Sequence, residues 1–363
     1  MSRNAQSSTG IVRRVAPWLA LCLCQLLLAR APAQEPLAPA RANNTSRARV
    51  VIVEDPDATY DLQPVGYRIQ TMVDRGITNL TGKTTVSNAW LSLVSTNDTV
   101  GIKVYSSPGP NSGTRPAVAA AVVQGLIAAG LPPQQIVIWD KRAVDLRLAG
   151  YFDFEQRYGI RVLGSIEAGY DETNFYEAAL LGPMSWTDVE FNQKGPGMGR
   201  KSYVSRLVSR RLTKIINVTP MMHHNATGVY GNLFSLTMAS VDNTLRFENN
   251  VAELDKAVPE IYALPVFGDK VAGERVVLTI VDALICQYEG QQQGLLHYST
   301  VLNQLRFSHD PVALDVLSLQ EINHQRELAG TPVVNTNMEL FNNASLLEIG
   351  VSDTNRIDVT RLP

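Results

Sequence analysis

The sequence predicts a three-layer α/β fold, a mostly parallel sheet with helices on both faces. Three observations predict it. Short β-branched segments alternate with helical patterns along most of the chain. The strand segments are continuous apolar runs, as expected of strands buried on both faces. The composition, 45% hydrophobic and 18% charged over 363 residues, is that of a chain able to bury a large core.

Taken in order, Arg49–Val53 (RVVIV) reads as the first strand, and Pro64–Arg75 has helix spacing and is expected to end at Gly76. Thr99–Tyr105 (TVGIKVY) reads as a second strand. Arg115–Ala129 follows as a helix with Pro116 in its first turn, Val118, Val122 and Leu126 at four-residue spacing, and Gly130 as its stop. Gln135–Asp140 is a third strand, with others expected at Arg161–Leu163, Lys214–Val218 and Val276–Val281. Pro311–Arg326 reads as a helix opened by Asp310-Pro311. Strand–helix–strand order implies right-handed crossovers, and ligands in such sheets bind beyond the carboxyl ends of the strands.

The first 33 residues read as a signal peptide. Arg3, Arg13 and Arg14 precede the apolar run Ala16–Leu28, and Ala31-Pro32-Ala33 supplies small residues for cleavage before Gln34. The paired arginines leave both the general secretory and the twin-arginine routes open. Residues 34–48 read as a flexible leader and 49–363 as a single α/β domain, periplasmic or secreted, with no stable membrane anchor after cleavage. Cleavage would leave Cys286 as the one cysteine, so neither an internal disulfide nor a four-cysteine iron–sulfur site is available. The Asn-x-Ser/Thr triplets, of which Asn217 lies in an apolar run, read as chance in a bacterial chain.

The formal charge of −2, from 32 basic and 34 acidic residues, excludes a dominantly basic nucleic-acid binder. Candidate site residues lie just after apolar strands. The loop Ser106–Thr114 enters the Arg115 helix, where free N–H groups favour an anion and Thr114 and Arg115 could assist. Lys103, near its strand's carboxyl end, could neutralise an acidic ligand, and Asp140 ends the next strand. Met221-Met222-His223-His224 is expected in a loop after its strand. There His224 is a candidate catalytic group, and the soft donors could suit copper, although no metal-ligand spacing supports it. Asp282 ends the VVLTIV strand, with Glu289 in the next loop, as a possible acid/base pair or cation-binding pair. Asp310 is a helix cap or a ligand contact. Lys194–Ser202 is glycine-rich, but Arg200 breaks phosphate-loop spacing. Serine-hydrolase, zinc-protease and dinucleotide signatures are missing.

In this order, Asp98–Lys103, Thr114-Arg115-Pro116, Ile136–Asp140, Ile215–Val218, His224, Gly231–Phe234, Ile280-Val281-Asp282, Ser308–Asp315 and Leu347–Val351 resemble domain-of-unknown-function family 362. The resemblance spans nearly the whole mature chain and implies an exported member without the iron–sulfur module that some relatives carry. Relatives usually place lysines before the histidine, where this chain has Pro220 and Met222. The Thr-Arg-Pro helix start is similar, more distantly, to the N-terminal domain of nickel-pincer lactate racemases. That similarity implies Thr114 and Arg115 at a cofactor phosphate and His223 or His224 at proton transfer.

The leading expectation is a small anionic ligand or cofactor, of identity the sequence does not give, in a cleft lined by Lys103, Thr114, Arg115, His224, Asn232, Asp282 and Asp310. The alternatives are a racemase- or isomerase-like acid/base enzyme using His224 with a carboxylate such as Asp282, and a non-catalytic envelope scaffold. The oligomeric state is open.

Overall fold

A computed structural model describes residues 47–248, 250–269, 273–290, 293–332 and 338–363. The expected signal peptide and nearly all of the expected leader lie outside these residues. In chain order the elements are β1 (Ala48–Glu54), a ribbon of β2 (Thr59–Tyr60) and β3 (Gln63–Pro64), α1 (Gly66–Thr81), α2 (Val86–Leu91), β4 (Val100–Val104), α3 (Pro116–Ala128), β5 (Ile136–Asp140), α4 (Ala143–Leu148), α5 (Asp153–Tyr158), β6 (Arg161–Gly164) and α6 (Ser165–Ala168). A second ribbon, β7 (Tyr170–Glu177) and β8 (Lys201–Ser205), precedes β9 (Lys214–His224), β10 (Gly228–Val229), α7 (Asn232–Ser240), α8 (Leu245–Glu248) and α9 (Val251–Tyr262). A third ribbon, β11 (Gly268–Asp269) and β12 (Gly273–Glu274), leads to β13 (Val276–Gln287), β14 (Ser299–Ser308), α10 (Pro311–Leu328), α11 (Glu339–Leu346) and β15 (Ile357–Leu362).

The main sheet runs β15-β1-β14-β13-β9-β4-β5-β6, with β10 beside β9. It is parallel throughout except where β14 lies antiparallel between β1 and β13, and where β10 folds back on β9. Apolar residues fill both faces. Val100, Ile102, Ile138 and Ile216 pack under α1, α2 and α3. Val137, Trp139 and Ile215 face the layer of α7 to α11. This is the expected three-layer α/β fold.

Two local expectations are corrected. The first helix does not stop at Gly76 but continues to Thr81 and ends at Gly82, whose φ of 67° is the left-handed cap. Gly76 is needed for contact: a Cβ there would overlap the Phe307 ring of β14. Met221 to His224 are not in a loop but within β9, which runs on past Val218. Neighbours on a strand point to opposite faces, so His223 and His224 do not converge.

Candidate functional site

The parallel strands β4, β5, β9 and β13 bring their carboxyl ends to one rim. Five of the seven predicted residues, Lys103, Thr114, Arg115, Asn232 and Asp282, are buried just beneath it in hydrogen bonds and ion pairs with the protein itself. Lys103 is wholly buried, and its ammonium donates to Asp140 Oδ1 (3.0 Å), the Val104 carbonyl (2.6 Å) and Ser235 Oγ (3.0 Å). Burial pulls the Lys103 pKa down, and Asp140 opposes the shift. Asp140 in turn accepts from the Ser106 N–H (2.8 Å) and hydroxyl (2.7 Å). Thr114 Oγ1 donates to the Val218 carbonyl (2.7 Å) and accepts from the Tyr105 N–H (2.9 Å).

The start of α3 was expected to hold a ligand's anion. It holds Asp282 instead. The buried carboxylate accepts from the Arg115 backbone N–H (2.9 Å) and guanidinium (3.0 Å). The same device recurs at α7, where Asp315 accepts from the N–H groups of Asn232 (2.6 Å) and Leu233 (3.0 Å) and from the Asn232 amide (2.8 Å). Burial pushes Asp315 up to about 7. A Cβ at Gly231 would overlap this carboxyl group. At α10, Asp310 accepts from Ala313 N–H (2.8 Å) and Val351 N–H (2.9 Å), and burial pushes it up to about 6. Each of these three helix starts therefore carries a carboxylate from the protein itself.

Asp310 does not join the rim. It follows β14, which runs antiparallel, and Ser308 pairs with Thr279 near the beginning of β13. Asp282 lies three residues further along β13, and Asp310 two residues beyond Ser308 in the other direction, so the two are roughly 16 Å apart along the sheet. A fully parallel sheet would have placed them together.

His224 lies at the end of β9, its ring against Tyr230 and Phe234 with centroids 4.6 Å away in each case. Nδ1 accepts from the Thr227 N–H (3.1 Å), which puts the proton of the neutral ring on Nε2. Burial, then the neighbouring His223, lowers its pKa to about 4. Among the described residues no hydrogen bond or ion pair joins His224 to Asp282. His223, on the opposite face, has Nδ1 3.9 Å from Glu289, which itself pairs with Arg326 (2.5 Å). Glu289 and Asp282 are thus separately engaged, one with Arg326 and the other with Arg115.

A cleft of about 200 Å³ opens at the ends of β4 and β5. Its inner wall is Tyr105, Tyr230, Phe234 and Met238, with Tyr105 stacked on Tyr230 at 4.5 Å. Its polar side is formed by Asp140, Lys141, Arg142 and Asp145 at and after the end of β5, by Ser185, Thr187 and Asp188 of the segment joining β7 to β8, and by Thr244 and Glu248. Lys141 Nζ donates to the carbonyls of Met238 and Val241 (both 2.9 Å) and to Thr244 Oγ1 (3.2 Å). Asp188 accepts from the N–H groups of Ser185 (2.6 Å) and Asn243 (2.8 Å), fixing the β7–β8 segment to the wall. Trp186, 95% exposed, stands between two lining residues.

None of the seven predicted residues lines this cleft. Several hold its walls. Thr114 and Asp140 grip the backbone on either side of Tyr105, Lys103 anchors Asp140, and Asn232 with Asp315 sets the start of the helix that carries Phe234 and Ser235. Asp140, singled out in the sequence as a strand-end residue, does line the cleft; Tyr105, Lys141 and Arg142 could have been found from their places beside it at strand ends, and Tyr230 and Phe234 from their four-residue spacing. Asp188 carried no such signal. Among the described residues, no cluster of three or more His, Cys, Asp or Glu is arranged to hold a metal, and no helix is long and apolar enough to cross a membrane.

No curated protein matches the chain. The crystal structure of a Thermotoga maritima protein from a structural genomics programme is 11% identical with a TM-score of 0.40, the likeness covering 74% of this chain and 60% of that one. The model of a family described as a domain of unknown function, family 362, matches residues 100–320, more than half of the sequence and the part that builds both the buried network and the cleft; the chain belongs to that family.

Proposed function

We propose that this protein, exported through its N-terminal signal, binds a small organic molecule carrying one ring in the cleft at the ends of β4 and β5. The observation that carries the reading is the preformed wall of Tyr105 stacked on Tyr230 beside Phe234, facing a polar rim. A concave apolar wall with a few convergent polar groups is the usual form of a small-molecule site, and about 200 Å³ suits a ligand below drug size. The cations expected to attract an anion are already engaged, Lys103 with Asp140 and Arg115 with Asp282. Ring stacking and hydrogen bonding therefore replace net positive charge as the basis of recognition. The acid/base alternative gains no support from His224 and Asp282, because the first presents an N–H and the second is neutralised by Arg115.

Native mass spectrometry of protein purified from its own cell envelope tests the proposal. A bound mass is expected in the wild type and is lost on Tyr230→Ala. Addition of single-ring aromatic fragments should also shift the fluorescence of Trp186, since Trp90 and Trp139 are fully buried. A bare wild-type chain with no fluorescence response to any fragment would overturn it.

A further inference from the structure

We infer that the cleft selects a cation: a small amine whose ring lies on Tyr105 and whose ammonium pairs with Asp145. The inference rests on the cleft being a ligand site and names the ligand's charge. It follows from an account of each charged group in the wall.

Asp140 faces Lys103 at 3.0 Å and is already neutralised. Lys141 lines the cleft, but its three protons go to two carbonyls and Thr244, so none is left for a ligand carboxylate. Asp188 is held by two backbone N–H groups, and Glu248 Oε1 accepts from Thr244 Oγ1 (2.9 Å). Arg142 is exposed to solvent, where its charge is screened. Asp145 differs from all of these. It is half-buried in the first turn of α4, lines the cleft, and among the described residues forms no hydrogen bond or ion pair through its carboxylate. Burial pushes its carboxyl group up, Asp140 adds to the shift, and the solvent-exposed Arg142 opposes it without forming an ion pair.

A carboxylate that has lost water and gained no partner is restored by a charged donor. An ammonium supplies that donor. Tyr105 and Phe234 offer it ring faces and edges, and a π-face attracts cations. A carboxylate ligand would instead meet Asp145, Asp188 and Glu248, while the charge of Lys141 is already shared with Asp188 and Glu248 and its protons are committed.

Three isosteric probes decide the charge: benzylammonium, benzyl alcohol and benzoate, titrated by calorimetry into protein purified from the cell envelope. Benzylammonium should bind about tenfold tighter than benzyl alcohol, the lower end of what a charge-assisted hydrogen bond supplies, with benzoate weakest. Asp145→Asn should bring benzylammonium down to the affinity of the alcohol, weakening the amine far more than the alcohol. Benzyl alcohol or benzoate binding as tightly as benzylammonium in the wild type rejects the cation and keeps the cleft as a ligand site. So does undiminished benzylammonium binding by Asp145→Asn. Failure of all three probes to bind rejects both. The wild-type comparison stands even where the variant folds poorly.

Discussion

Asp282 is the point at which the buried network is most exposed to test. Its carboxylate is fully buried and holds both the backbone N–H and the guanidinium of Arg115, which is itself 2% exposed. Replacing Asp282 by Ala leaves the guanidinium with the Asn111 carbonyl (3.0 Å) as its remaining acceptor and strands the Arg115 N–H at the start of α3. Breaking a buried pair from one side costs about 3–5 kcal/mol, because an uncompensated charge stays behind. Adding Arg115→Met removes that charge but not the stranded N–H, whose loss is worth about 1–3 kcal/mol. The double variant should therefore recover roughly 2 kcal/mol relative to Asp282→Ala. Guanidinium chloride unfolding followed by far-ultraviolet circular dichroism reads both quantities. A cost below about 1 kcal/mol for Asp282→Ala, or strict additivity in the double variant, would refute the claim that the helix start is held by this pair.

Two further outcomes are expected. Gly125 lies where α3 meets the Trp90 indole, and a Cβ there would overlap the ring, so Gly125→Ala should cost about 1–3 kcal/mol by overpacking; an unchanged thermal midpoint would contradict that contact. His224, with its folded-state pKa of about 4 below the ordinary 6.5, binds fewer protons folded than unfolded between those values, so its contribution to stability is complete above pH 6.5 and is lost as the pH falls towards 4. Its ring resonances should stay constant from pH 6 to pH 8 and titrate near 4, whereas a midpoint near 6.5 would show an exposed ring.

The sheet was legible where its strands are apolar throughout. Val100–Val104, Ile136–Asp140 and the first half of Val276–Gln287 are runs that only a doubly covered strand requires. β14 was not legible, because Asn303, Gln304 and Arg306 interrupt it. Arg306 is nevertheless only 2% exposed, paired with Glu321 of α10 at 2.8 Å, a partner fifteen residues away that no strand pattern announces. That missed antiparallel strand is also why Asp310 was assigned to the wrong edge. The site residues were recognised as unusual correctly enough to lead to the rim, yet their partners were invisible. Arg115 and Asp282 are 167 residues apart, and nothing in the spacing of either shows that one satisfies the other.

That mutual satisfaction changes what the rim can do. An empty helix start, a buried lysine and a buried arginine together would form an anion site. Here Asp282 fills the start of α3, Asp315 fills the start of α7, and Asp140 meets Lys103, so the positive groups are neutralised within the protein. What the network then provides is rigidity. Tyr105 is hydrogen-bonded through its backbone to Thr114, both as donor and as acceptor, while the next residue is clasped by Asp140. Phe234 and Ser235 ride on a helix whose first two N–H groups are fixed by Asp315. A ring-binding wall needs such fixed geometry more than it needs charge, since stacking loses its value when the platform moves. On the proposed reading, the polar residues that look catalytic in the sequence support the wall of the cleft, and Asp145, the one carboxylate among the described cleft-lining residues with no hydrogen bond or ion pair, stands at its edge.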